Sequence, residues 1–309
     1  MNYFDTIDQD YATREQATNS RHRSNVFSSQ LRQTLATQLS EGPELDVSRA
    51  YYKASDQQFL WVDEVVQQAR ELRASKARSN NIKRKNRLFS RSADLDDPQL
   101  VDSPIFRFAL QPALVGSVAR YLGFVPILTT VDFWWNPNSN LFDPKAEPEL
   151  LTQLCHRDWA DNTLVKVFVH CSPIQQEQGA IQLLSPESSR EVADKFGYRY
   201  ANRLNTAGGL AETNGIYLSD QEMQQRGANL EQMYTLAGDS GQVYLADTAR
   251  CFHRGGRNHS TSERLLAVLM YLRPGALKIA TKHEESPPFA HLIKADHDLL
   301  SRLVLGGTD

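Results

Sequence analysis

Cysteine is scarce in this sequence. Cys155, Cys171 and Cys251 are the only three in 309 residues. That is too few for a disulfide framework, so the chain is expected to be cytoplasmic, in a reducing compartment. Long apolar runs are missing too. None approaches the ~18–20 residues that a membrane helix needs, so no membrane span is expected. The opening MNYFDTIDQDYATREQ is polar and acidic, without the apolar segment of a secretory signal. Nor does charge of one sign dominate. Lys and Arg number 34 against 37 Asp and Glu, a net charge of -3, which argues against a chain built mainly to coat nucleic acid. No internal repeat, long low-complexity tract, P-loop, Rossmann glycine fingerprint or Gly-x-Ser-x-Gly elbow is present. What is there is a 40% hydrophobic content, enough to bury a sizeable core in one large domain or two modest ones.

The chain changes character near residue 120. Before it the pattern is polar and helical: residues 28–40 and 56–77 space apolar side chains as helix faces do. From Arg70 to Arg91 nine basic residues stand against one acid, Glu71. Such a run is usually a solvated helix end and loop; the alternative is a positive rim that guides an anionic substrate. After residue 120 the signals turn to strands. Phe124–Trp135 is rich in β-branched and aromatic residues, and residues 163–171 alternate Val165, Val167 and Val169 with Lys166, Phe168 and His170. Short apolar runs follow at 180–184 and 242–246. The run Leu265–Leu272, nearly all apolar, fits a strand buried on both faces. Residues 187–237 are polar and irregular, long enough to imply short helices or a lid. Many short strands separated by turns point to a sandwich or barrel with helices outside. The expected layout is a helical region at 1–115 packed on the core, a catalytic core at 116–275 with a lid-like insert at 187–237, and a helical tail at 276–309.

His156-Arg157-Asp158 is a His-x-Asp pair. In extended backbone residues two apart point to the same side, so imidazole and carboxylate can grip one ion. A third ligand is then needed, and His253 is the best candidate, after the 242–246 strand and before Gly255-Gly256. Two histidines and one carboxylate leave three positions open on the ion, the arrangement that suits Fe(II) oxygenases. Arg264 lies eleven residues after His253, at the start of the apolar strand. A guanidinium is costly to bury there without an anion, and its planar fork suits a carboxylate; otherwise it is a surface arginine at a strand end.

The two segments CHRDWADNTLVKVFVHCSPIQQEQGAIQLLSPESS and GDSGQVYLADTARCFHRGGRNHSTSERLLAVLMYL resemble the two signature blocks of the phytanoyl-CoA dioxygenase family. The likeness covers roughly residues 116–274, with Gly179 in the first block's turn and Gly238-Asp239, His253, Asn258, Ser260 and Arg264 in the second. Ser185-Pro186-Glu187-Ser188-Ser189 stands where the family has Pro-Gly-Ser-His, and Gly255 where some members carry a hydroxyl.

The resemblance implies a mainly β fold with flanking helices around a double-stranded β-helix (jelly-roll, cupin-like) core. It implies Fe(II), 2-oxoglutarate and O2, with His156, Asp158 and His253 on the metal, Arg264 on the distal carboxylate of 2-oxoglutarate, and Phe168 lining the co-substrate pocket. Lys166 and His170 share a face with Phe168; they either reach the pocket, Lys166 toward the co-substrate and His170 toward the substrate, or face solvent. Trp134 and Trp159 are expected to be core or pocket wall, with Trp159, next to Asp158, placed to touch substrate. Hydroxylation of a small molecule, possible anion or secondary metabolite, with succinate and carbon dioxide as co-products, is the implied reaction. The presence of Asp158 favours it over halogenation. Competing readings are a jelly-roll metalloprotein that does not use 2-oxoglutarate, a non-catalytic binding protein on the same fold, and, from the basic run alone, a nucleic-acid oxygenase. A nucleic-acid partner is not expected.

Overall fold

The structure is a computed structural model. It describes residues 26–46, 49–55, 57–76, 98–136, 151–158, 160–196, 217–256, 258–276 and 287–307. The helices are α1 (Val26–Gln38), α2 (Val62–Lys76), α3 (Pro104–Leu110), α4 (Pro112–Leu122), α5 (Pro186–Phe196), α6 (Asp220–Gln225) and α7 (Leu299–Val304). The strands are β1 (Tyr51–Lys53), β2 (Ile127–Asn136), β3 (Val165–His170), β4 (Ile181–Leu183), β5 (Tyr234–Leu236), β6 (Val243–Ala246), β7 (His253–Gly255) and β8 (Arg264–Leu272). They form a five-stranded sheet in the order β1-β6-β3-β8-β2 and a three-stranded sheet in the order β5-β4-β7. Every pairing is antiparallel.

Strand period and burial explain the layering. In β8 the side chains of Leu265, Ala267, Leu269 and Tyr271 join the core shared with the helices, while Leu266 and Val268 face the smaller sheet. In β3 Val165, Val167 and Val169 take the helix side, and Phe168 takes the other. All nine residues of β8 are buried. A continuous apolar strand inside an antiparallel sheet is therefore explained by cover on both faces, helices on one and Ile181, Leu183 and Leu236 of the small sheet on the other. In β2 the pairing with β8 shifts between Leu128 and Thr130, a bulge that lets both Leu128 and Val131 point into the helix-side core.

Two boundaries differ from the sequence reading for identifiable reasons. The helix expected over 56–77 begins at Val62, because Gln57 and Trp61 hold left-handed backbone at φ 61° and 67°. The strand expected from Phe124 begins at Ile127, after Pro126, which has no N–H to give a ladder. The segment 187–237 carries most of α5, α6 and β5; residues 197–216 lie outside the described residues. Of the basic run, residues 77–91 lie outside the described residues as well. Its first two members are struts. Arg70 donates to Cys171 O at 3.3 Å and to Ser240 Oγ at 3.0 Å. Arg73 forks onto Glu263 at 2.8 and 2.5 Å, across the face of Trp135.

A buried arginine ties α1 to the segment before β2 and to the 303–307 segment. Arg32 of α1 donates to Val125 O at 3.1 Å, Leu303 O at 2.8 Å and Gly307 O at 2.8 Å. Burial lowers its pKa to about 10, which leaves it charged at neutral pH. No helix among the described residues is long and apolar enough to cross a membrane.

Candidate metal centre

His156 and His253 are joined by a two-residue antiparallel bridge. The N–H of His156 donates to His253 O at 3.0 Å and the N–H of His253 to His156 O at 2.9 Å. Cross-strand partners project to one side, and the ring centroids are 4.3 Å apart at 49°. Each Nδ1 meets a backbone carbonyl, Leu154 O at 2.8 Å for His156 and Cys251 O at 3.2 Å for His253. A carbonyl only accepts, so Nδ1 carries the proton and Nε2 keeps its lone pair for an ion. Burial, then the neighbouring His253, lowers the His156 pKa far below the ordinary histidine value, so its ring is neutral and ready to ligate.

Asp158 is anchored through Thr248. The Asp158 N–H donates to Thr248 O at 2.9 Å, and the Thr248 hydroxyl donates back to Asp158 Oδ2. Asp158 Oδ2 lies 3.7 Å from His253 Nε2 and 2.6 Å from Lys166 Nζ. Burial pushes the Asp158 carboxyl upward, but the Lys166 ammonium and the neighbouring His253 and His156 together hold its pKa below the carboxylate range. Arg157, between the two ligand candidates, turns away and gives its Nε–H to Ala249 O at 2.5 Å. One atom from each of His156, Asp158 and His253 can be chosen so that all lie within 4.8 Å of one another, close enough to share one ion. No cysteine belongs to this group; all three are buried and form no disulfide, and burial pushes the Cys171 thiol up to about 12.

Arg264 stands opposite Asn136 in the β2–β8 register. Its Nε and Nη2 both donate to Asn136 Oδ1, at 3.0 and 2.7 Å. Nη1 is buried with no hydrogen-bond partner among the described residues. Burial lowers the pKa to about 10, so the group stays charged at neutral pH with one donor edge unsatisfied. The guanidinium lies against Gly255, where a Cβ would already be 3.5 Å from Nη2 and 4.0 Å from Nη1. Gly255 is two residues after His253 on β7, hence on the same side of the strand.

The open question about β3 has a geometric answer. Lys166 reaches Asp158, Phe168 is buried among Leu266, Val268 and Leu183, and His170 lies with its ring 5.2 Å from Tyr244. All three therefore point between the sheets. Burial lowers the His170 pKa to about 4, with Arg264 adding to the effect against a hydrogen bond to Gly238 O. Trp134 is partly buried against the same inter-sheet cluster. Trp159 lies outside the described residues. Three contributors escaped the sequence reading. Thr248, in the turn after β6, and Asn136, paired across β2–β8, are common residues with no local signal. Tyr217, whose ring lies 4.9 Å from His156, is delivered by the bridge between Leu218 and Cys155.

No protein-family model and no curated protein matches the chain. Among solved structures it is similar to the epimerase SnoN in complex with Fe3+, alpha ketoglutarate and nogalamycin RO, at 15% identity and a TM-score of 0.46, covering 78% of this chain and 89% of that one. It is similar to the non-heme alpha ketoglutarate dependent carbocyclase SnoK from nogalamycin biosynthesis, at 13% identity and a TM-score of 0.43, covering 78% and 88%. EvdO2 from Micromonospora carbonacea var. aurantiaca, complexed with 2-oxoglutarate, is similar at 13% identity and a TM-score of 0.44, covering 74% and 87%.

Proposed function

We propose that the protein is an Fe(II)- and 2-oxoglutarate-dependent oxygenase that hydroxylates an unactivated C–H bond of a small-molecule substrate. The observation that carries this reading is the unsatisfied Nη1 edge of buried Arg264, beside a His-Asp-His group whose two Nε2 lone pairs and one carboxylate can share an ion. A metal alone would leave that edge unpaired. A 2-oxo acid with a second carboxylate answers both features at once. His156, Asp158 and His253 would hold the metal, and neutral nitrogen with carboxylate oxygen is a donor set suited to Fe(II) with open positions. Bound together, Fe(II), 2-oxoglutarate and O2 supply the oxidising power to break a C–H bond, with succinate and carbon dioxide as co-products.

The chain's own part is binding, orientation and exclusion of water. Arg264, pre-aimed by Asn136, takes the distal carboxylate. Phe168, Leu266 and Val268 form an apolar wall beside it. Thr248 keeps Asp158 turned toward the two rings. Trp134, Trp159 and His170 are the substrate-side residues of this reading. An anionic or secondary-metabolite substrate, membership of the phytanoyl-CoA dioxygenase family, the jelly-roll description of the two sheets, the layout 1–115, 116–275 and 276–309, and a cytoplasmic location belong to the same proposal. Support for the location comes from the three buried cysteines, which form no disulfide.

The test needs no substrate. Fe(II) and 2-oxoglutarate are added without oxygen and the visible spectrum is recorded, with His253→Ala alongside. A weak charge-transfer band that requires both additions and vanishes in the variant supports the proposal. No band in the wild type refutes it, and metal binding without a 2-oxoglutarate response favours the metalloprotein that does not use 2-oxoglutarate.

A further inference from the structure

Lys166 presents a charge that the proposed chemistry does not need. Its Nζ stands 2.6 Å from Asp158 Oδ2, and the two side chains are only 15% and 16% exposed. The same oxygen also accepts the Thr248 hydroxyl. A carboxylate oxygen has two in-plane lone pairs, so both on Oδ2 are engaged, and an ion is left with Oδ1 or must compete with the ammonium. Among the described residues of the three-ligand group, Asp158 supplies the one negative charge, and Lys166 already matches it. His156 is neutral. Arg264, with its own unpaired edge, adds a further positive charge on the inter-sheet side. A divalent ion entering this partly dehydrated place meets like charge that water screens poorly. A dianionic co-ligand relieves it.

We propose that Lys166 is a positioning residue that, by holding Asp158 Oδ2, makes divalent metal binding weak alone and strongly coupled to an anionic co-ligand. The protein would then load metal and co-ligand together, and the metal would seldom sit alone and exposed to oxygen. This rests on the metal and 2-oxoglutarate reading above and adds a regulatory property to the same site. A lysine that merely orients Asp158 would have the opposite signature, since its loss would weaken the metal.

The experiment counts free Mn(II) by electron paramagnetic resonance, with and without 2-oxoglutarate, for wild type, Lys166→Met and Lys166→Arg. In wild type, 2-oxoglutarate is expected to tighten Mn(II) binding roughly tenfold or more. Lys166→Met is expected to bind Mn(II) alone roughly tenfold more tightly than wild type, because a unit charge beside the ion is gone. Its gain from 2-oxoglutarate should be at least about threefold smaller than the wild-type gain. Lys166→Arg keeps the charge and should stay close to wild type. If Lys166→Met binds Mn(II) no more tightly than wild type, or if Lys166→Arg behaves like Lys166→Met, the proposal is overturned while the metal centre stands. If wild type binds no Mn(II) at all, the metal centre falls and the proposal with it.

Discussion

Removing the Arg264 guanidinium should abolish the distinction between 2-oxo acids that carry a distal carboxylate and those that do not. The perturbation is Arg264→Leu, which fills part of the space without charge. In the wild type the buried guanidinium is held by two hydrogen bonds to Asn136 Oδ1, at 3.0 and 2.7 Å, and leaves Nη1 for a ligand. A charge-assisted hydrogen bond in such a place contributes about 1.5–3 kcal/mol, which is roughly a 12- to 150-fold preference for 2-oxoglutarate over pyruvate. The variant loses the donor and leaves Asn136 Oδ1 short of partners, a cost to stability of about 1–3 kcal/mol that a domain of ordinary stability tolerates. The assay is anaerobic titration of the Fe(II)-loaded protein with each acid. Comparing both acids in both proteins isolates the pairing of guanidinium and distal carboxylate from any general damage. Equal weakening toward pyruvate and 2-oxoglutarate in the variant would refute the assignment of Arg264 as the anchor.

Other outcomes follow from the same geometry. His156→Ala and His253→Ala should each remove Mn(II) binding while far-ultraviolet circular dichroism stays unchanged; retained stoichiometric binding in either would exclude that ring as a ligand. Arg32→Met strips donors from three backbone carbonyls at 2.8–3.1 Å and should cost about 3 kcal/mol in urea unfolding, so a change under about 1 kcal/mol would contradict the clamp. Asp247, which accepts the Tyr121 hydroxyl at 2.8 Å, has its pKa raised by burial to about 6 from 3.8. Between about pH 4 and pH 6 the folded state therefore holds the proton that the unfolded state loses, and this group makes stability fall as pH rises. Asp247→Asn should remove that contribution, up to about 3 kcal/mol, and an unaltered pH dependence of the urea midpoint would contradict it. His170 acts with the opposite sign. Its pKa is lowered to about 4 from 6.5, so the stability it contributes is present above pH 6.5 and is lost toward pH 4. His170→Gln should flatten that rise.

Periodicity and composition were enough to place α1, α2, β2, β3, β4, β6 and β8, because burial imposes a rhythm that the residues must obey. The alternation of Val165, Val167 and Val169 with Lys166, Phe168 and His170 marks β3 as a strand, and the unbroken apolar run marks β8 as a strand covered on both faces. His-x-Asp is a local pattern, and the Arg264 spacing from His253 is a short one, so both could be picked out by eye. Tertiary structure alone decided the rest. The bridge that sets His156 against His253 joins residues 97 positions apart. Asn136 and Thr248 enter only because their strands and turns are brought alongside. Whether Lys166 faces solvent or the site has no answer in a period-two pattern, which says that two sides exist but not which is covered by the second sheet. The left-handed turns at Gln57 and Trp61, and the bulge in β2, were equally silent, since no glycine or asparagine marks either left-handed position. Local sequence carries the repeat of the backbone; which side chains meet across it depends on register, and register is a property of the whole packed chain.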